Sequence, residues 1–232
     1  MASTWMERGR SDNAAAFRDR RHVGRVLADL LAGYADQPNV LVLAPPPGGI
    51  AVACEVARTL RAPLDVFVVR KLAAPGHEDC AMGALASGGM HVVYDTVVRL
   101  LRVSDDDLEA VTRSEQRELA RRESLYRAGR PALDVRGLTV ILVDDGVTAS
   151  STVLIALKAL RAQGTRRLVV ALPTATAEGC EEIRHQADEV ICAAQPGAAR
   201  AFGPLYNDLS ETTDDEVLEL LAYAEEARHA TH

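Results

Sequence analysis

The stretch Thr139-Val-Ile-Leu-Val-Asp-Asp-Gly-Val-Thr-Ala-Ser-Ser-Thr152 decides how the rest of the chain is read. Its uninterrupted apolar run is that of a strand buried on both faces, as in a parallel sheet. The strand delivers two adjacent acids, Asp144 and Asp145, and then small and hydroxyl residues that open a helix. Small residues let a backbone come close to a ligand, and the amides and hydroxyls at a helix start hold an anion. The two acids would repel that anion unless they face something else, such as sugar hydroxyls. A phosphate and a diol side by side describe a ribose 5-phosphate.

The same alternation extends in both directions. Apolar positions Val23, Val26, Leu27, Leu30, Leu31 and Tyr34 recur at helical spacing, so residues 18–34 read as an amphipathic helix. Residues 39–44 are a second buried strand, which ends in Pro45-Pro-Pro-Gly-Gly49 before a helix through Ile50, Val52, Ala53, Val56 and Ala57. A strand over 65–69 closes a βαβ unit. Residues 72–89, rich in Gly, Ala and Pro without a clear period, read as a long loop of the kind that often carries function. Residues 91–94 and 96–101 read as a short antiparallel β pair. Ser104 followed by three aspartates starts a helix to about Arg127, with Glu109/Arg113 and Glu118/Arg122 pairs on a solvated face.

Downstream of the deciding segment the pattern predicts a helix over 149–163, a strand over 168–172, a helix over 177–186 and a strand over 189–192. A last helix starts at the capping box Thr213-Asp-Asp-Glu216. Strand–helix alternation with apolar strands predicts a doubly wound, mostly parallel α/β sheet with helices on both faces. Ligands in such sheets bind at the carboxyl ends of the strands, which directs attention to the loops after Ala44, Val69 and Val143.

Composition narrows the function classes. At 232 residues, 48% hydrophobic and 25% charged, the chain can bury a core without disulfides or a metal. No run approaches the ~20 apolar residues of a membrane span, and residues 1–21 show no secretory pattern, so the expected location is the cytoplasm. The net charge of −7 comes from the end of the chain: residues 207–232 hold eight acids and one arginine, and the rest is balanced. A balanced body with nine aromatic residues has no footprint for nucleic acid. Cys54, Cys80, Cys180 and Cys192 lack metal or redox spacing and read as small hydrophobes.

The strand-Asp-Asp-small-small-Thr-helix pattern resembles the ribose-phosphate loop of the type I phosphoribosyltransferases. The resemblance extends to residues 41–56, 66–83 and 202–217, and is nearest to the bacterial phosphoribosyltransferase-domain proteins. It implies that residues 17–232 form one phosphoribosyltransferase-like domain with a C-terminal hood and an acidic helix, behind a flexible N-terminus of residues 1–16. It also implies that Asp144 and Asp145 bind the ribose hydroxyls of phosphoribosyl pyrophosphate. Thr148, Ala149, Ser150, Ser151 and Thr152 would wrap its 5-phosphate. Pro47, Gly48 and Gly49 match the diphosphate-binding loop, Arg70 and Lys71 the diphosphate-binding basic pair after the next strand, beside the flexible loop that closes over the substrate, and Phe202 an aromatic that stacks on a base. The implied reaction is attack of a nucleobase-like acceptor on the anomeric carbon, with diphosphate leaving and Mg²⁺ carried mainly on the substrate. Relatives commonly form homodimers. Lys71 stands out independently, being one of two lysines beside 24 arginines.

Two positions depart from the family pattern. Pro47 stands where relatives carry Arg and has no amide to donate, and Ser150 stands where a Gly is usual. Both favour the alternative reading, a non-catalytic module that binds phosphoribosyl pyrophosphate or a nucleotide. Blander readings stand beside each feature. Asp144-Asp145 would be a surface turn, Gly48-Gly49 an ordinary turn, and Phe202 a packing residue. His77-Glu78-Asp79 reads as a solvated loop rather than a metal site. The Arg113, Arg117, Arg121 row reads as a Glu-paired face.

Overall fold

The structure is a computed structural model and describes residues 17–127, 133–146, 150–194 and 206–229. Five strands, β1 (Val40–Ala44), β2 (Leu64–Val66), β6 (Thr139–Val143), β7 (Arg167–Leu172) and β8 (Glu189–Cys192), form a parallel sheet in the order β2-β1-β6-β7-β8. Their period-two alternation sorts residues to two faces. Val42, Ala44, Ile141, Val143, Val169 and Ala171 pack with α1 (Arg20–Leu30), α2 (Gly48–Leu60) and α7 (Asp214–His229). Leu41, Leu43, Val140, Leu142, Leu168 and Val170 pack with α5 (Ser150–Ala162) and with Ile183 of α6 (Ala177–Arg184). This is the doubly wound α/β sheet that the strand–helix alternation predicts.

From β1 the chain moves outward to β2. It then leaves the sheet for β3 (Val69–Ala74), β4 (His77–Ala86), β5 (Met90–Val93), α3 (Asp95–Leu100) and α4 (Asp105–Arg127), and returns as β6 on the other side of β1. The winding direction therefore reverses between β1 and β6. At such a reversal the loops leaving the two strands diverge to opposite faces and open a crevice.

Several boundaries depart from the sequence reading. The segment 65–69 is divided. Parallel pairing stops at Val66, and Val69 starts a separate antiparallel sheet of order β3-β4-β5. No loop follows Val69, so Arg70 and Lys71 lie on a strand. Residues 72–89 are mostly the β3–β4 hairpin, not a long loop. Their small residues have a packing reason. A Cβ on Gly83 would collide with the Val92 carbonyl oxygen and lie 2.9 Å from Leu72 Cδ1. Leu72, Ala74, Met82 and Leu85 form a cluster of their own with Val97, Val98 and Leu108.

The expected pair of 91–94 with 96–101 is also absent. Residues 91–93 pair with β4, and 95–100 are helix α3, whose Val97 and Val98 are drawn into the hairpin cluster. Tertiary packing here outweighs the β preference of adjacent valines. The two expected helix starts are present. Ser104 Oγ accepts from the Asp107 amide at 3.1 Å, and Thr213 and Glu216 cap each other reciprocally at 2.8 and 3.2 Å.

Candidate functional site

Two loops meet at the β1–β6 reversal. The first runs from Ala44 through Pro45, Pro46 and Pro47, with a cis peptide between Pro46 and Pro47, into the first turn of α2. The second carries Asp144 and Asp145 from the end of β6. Both acids are nearly inaccessible, at 2% and 4% exposure, which excludes a solvated surface turn. The Asp144 amide donates to the Ala171 carbonyl of β7 at 3.2 Å, so the strand ladder continues into the acidic pair. Gly146 follows with φ +73°, in the left-handed region that glycine adopts without strain.

The glycines of the first loop are not equivalent. A Cβ on Gly48 would overlap Asp145 Oδ2 and lie 3.0 Å from Arg20 Nε, whereas one on Gly49 would make ordinary 3.4 Å contacts with Ala44, Pro45 and Val143. Gly48 is therefore the residue that lets the start of α2 press against the Asp145 carboxylate.

Two side chains brace Asp145. Arg20, the first residue of α1, donates from Nε to Asp145 Oδ2 at 3.0 Å, with Nη2 also 3.0 Å from that oxygen, and from Nη1 to the Ser210 carbonyl at 2.7 Å. Tyr206 is buried and donates its hydroxyl to the Asp145 carbonyl at 2.7 Å. Burial, then the Asp145 charge, pushes the Tyr206 hydroxyl above its ordinary range against the opposing pull of Arg20, which keeps it a proton donor. The segment carrying Tyr206 is pinned to the start of α1. The amides of Asn207 and Asp208 donate to the carbonyls of Phe17 and Arg18 at 3.0 and 2.9 Å, and the Phe17 and Tyr206 rings lie 6.1 Å apart.

A family model described as "phosphoribosyl transferase domain" matches residues 15–206. Two curated relatives from two strains of Mycobacterium tuberculosis, each named "putative phosphoribosyl transferase", are 39% identical over 205 residues. Those residues are 88% of this chain and 46% of each relative, so the chain spans under half the length of the curated relatives it matches. The crystal structure of TT1426 from Thermus thermophilus is similar at a TM-score of 0.74 and 39% identity, covering 88% of this chain and 97% of that one. The chain belongs to the phosphoribosyl transferase family.

Within this phosphoribosyl transferase domain, the structure brings Asp144, Asp145, Pro47, Gly48 and Gly49 to one junction. Ser150 opens α5, Ser151 is exposed, and Thr152 is half-buried in the first turn of that helix. Thr148, Ala149 and Phe202 lie outside the described residues. Arg70 and Lys71 have other partners. Arg70 donates from Nε to Glu115 of α4 at 2.7 Å, and Lys71 Nζ donates to the Glu78 carbonyl of β4 at 2.8 Å. His77, Glu78 and Asp79 are exposed at the start of β4. Arg113 and Arg121 pair with Glu109 and Glu118, as a solvated face requires. Cys54 is buried, and burial pushes its thiol up to about 11.

Sequence reading missed Arg20 and Tyr206. Arg20 is one of 24 arginines and sits in an ordinary amphipathic helix. Neither residue has a motif, because their role comes from pairing between segments nearly 190 residues apart.

Proposed function

We propose that this phosphoribosyl transferase binds phosphoribosyl pyrophosphate at the β1–β6 junction and transfers phosphoribosyl to a nucleobase-like acceptor. The observation that carries this reading is the buried Asp144–Asp145 pair at the end of β6, with the Asp145 carboxylate against the glycine-led start of α2. Two carboxylates there accept hydrogen bonds from a ribose diol, and helix amides beside them receive phosphate. In this reading Thr148, Ala149, Ser150, Ser151 and Thr152 hold the 5-phosphate. Gly48 and Gly49 meet the diphosphate, and Pro47 shapes that loop without donating an amide. Arg70 and Lys71 would have to release Glu115 and the Glu78 carbonyl to reach the diphosphate, and Phe202 is assigned to the base.

The reaction breaks the bond between the anomeric carbon and the diphosphate oxygen as the acceptor nitrogen attacks. The amides at the start of α2 favour the charge that develops on the departing diphosphate. Among the described residues no three His, Cys, Asp or Glu side chains cluster as a metal site. In this reading Mg²⁺ is carried mainly on the substrate diphosphate, with Asp144 and Asp145 as the carboxylates at hand. When bound, Mg²⁺ supplies charge neutralisation of the diphosphate. A cytoplasmic homodimer without nucleic-acid partners completes the proposal, and no helix among the described residues is long and apolar enough to cross a membrane.

A second reading is a non-catalytic sensor of phosphoribosyl pyrophosphate or a nucleotide, and Pro47 favours it. A titration with phosphoribosyl pyrophosphate and Mg²⁺, followed by a diphosphate-release assay across a panel of bases, separates the two. Turnover supports the transferase, and binding without turnover supports the sensor. No thermal shift at millimolar ligand, with Asp144→Asn/Asp145→Asn as control, removes both.

A further inference from the structure

Arg20 brings a guanidinium to the place where the two loops touch. Its Nε and Nη2 share one carboxylate oxygen of Asp145, and Nη1 holds the Ser210 carbonyl. Nε also lies 3.0 Å from the point where Gly48 would carry a Cβ, so the charge borders the first residues of α2. The side chain is 13% exposed. Its root is fixed, because Asp19 caps α1 by accepting from the His22 amide at 2.7 Å and residues 17–18 pair with 207–208.

A plain tether between α1 and Ser210 would not require the guanidinium to share the Asp145 carboxylate beside a helix start. That position has chemical consequences. A ligand that offers hydroxyls to Asp145 competes with Arg20 for the carboxylate. If the same ligand places a polyanion at the start of α2, it presents a more highly charged acceptor to the displaced guanidinium. A planar fork of donors suits phosphate oxygens.

We propose that Arg20 is the cation that receives the diphosphate of phosphoribosyl pyrophosphate. In the ligand-free chain it neutralises Asp145. On binding, Asp145 takes the ribose hydroxyls and the guanidinium turns to the diphosphate beside Gly48. This rests on the reading of the junction as a phosphoribosyl pyrophosphate site. It makes Arg20 a determinant of which ribose phosphates bind, because only those with an anomeric diphosphate gain from it.

The test compares two ligands by calorimetry in the presence of Mg²⁺, phosphoribosyl pyrophosphate and ribose 5-phosphate, which lacks the diphosphate. The readout is the ratio of their dissociation constants in the wild type, Arg20→Gln and Arg20→Lys. Arg20→Gln is expected to weaken phosphoribosyl pyrophosphate about tenfold or more while moving ribose 5-phosphate little, which collapses the preference. Unchanged affinity for the diphosphate ligand, or equal weakening of both, overturns the proposal, and the second outcome identifies Arg20 as a structural tether. If Arg20→Gln does not fold, Arg20→Lys decides. A compact ammonium in place of the fork lowers the ratio about threefold, and an unchanged ratio overturns the proposal. Failure of the wild type to bind either ligand instead sinks the reading of the junction itself, and Arg20 loses its assignment with it.

Discussion

Strands β6 and β4 each bury five consecutive residues by opposite means. In β6 these are Thr139, Val140, Ile141, Leu142 and Val143, the last four being branched apolar side chains that fill the space to the helix layers on either side. In β4 they are Met82, Gly83, Ala84, Leu85 and Ala86, mostly small, so that β5 and α5 come in close. Removing volume should hurt the first strand and adding volume the second. The proposed ligand junction sits at the end of the well-filled strand, where backbone position is most firmly held.

Ile141→Ala should leave a cavity in the centre of the sheet and cost about 2–5 kcal/mol, a fall in Tm of roughly 10 °C for a chain of this size. Gly83→Val in β4 should cost about 1–3 kcal/mol by overpacking, since the new side chain meets the Val92 backbone. Paired thermal denaturation of the two variants breaks the contrast if Gly83→Val is neutral.

The two glycines of the first loop sharpen the comparison at the site itself. Gly48→Ala displaces the Asp145 carboxylate and should weaken phosphoribosyl pyrophosphate by about a hundredfold, roughly 2.7 kcal/mol, while Gly49→Ala should stay within about threefold. Equal effects in a binding titration would show that Asp145 can move aside without consequence.

Tyr206→Phe removes the donor to the Asp145 carbonyl and should cost about 1–2 kcal/mol, the carbonyl being left without that partner in a buried place. A Tm within one degree of the wild type would mean that another donor takes over.

The smallest effect is a pH dependence. Hydrogen bonds from Arg121, then Arg122, hold Glu118 down at about 2. A depressed carboxylate contributes stability above its ordinary value near 4.5 and loses it as pH falls from there toward 2. The three side chains are all in contact with solvent, so screening leaves roughly 0.5 kcal/mol. Glu118→Gln should therefore be slightly less stable at pH 7 and converge with the wild type near pH 2, and a constant gap would refute the assignment.

The parts of this fold that were legible in the sequence are those where side-chain size carries the signal. Residues 40–44, 140–143 and 190–192 are continuous apolar runs, and all three lie in strands of the parallel sheet. The acids and glycines at their ends are punctuation that local chemistry explains. The β3–β4 hairpin was hidden because Gly and Ala serve both loops and tightly packed strands, and only the neighbour across the ladder tells which. Residues 96–101 misled for a related reason, since two adjacent valines suit a strand until a nearby cluster supplies a better surface. Arg20 and Tyr206 were invisible because nothing local distinguishes them. The approach of Cys180 to Cys192, with sulfurs 3.8 Å apart, likewise has no motif behind it.

The reversal of winding between β1 and β6 also governs when the site comes into being. Gly48 and Asp145 are separated by roughly a hundred residues of chain, and the whole β3–α4 excursion lies between them. Their meeting closes a long loop, and contacts of that separation are slow to form. Helices and the hairpin can assemble on local contacts alone, whereas the Gly48–Asp145 junction exists only once β6 has docked against β1. A ligand that reads both loops therefore reports, during refolding, on completion of the central sheet.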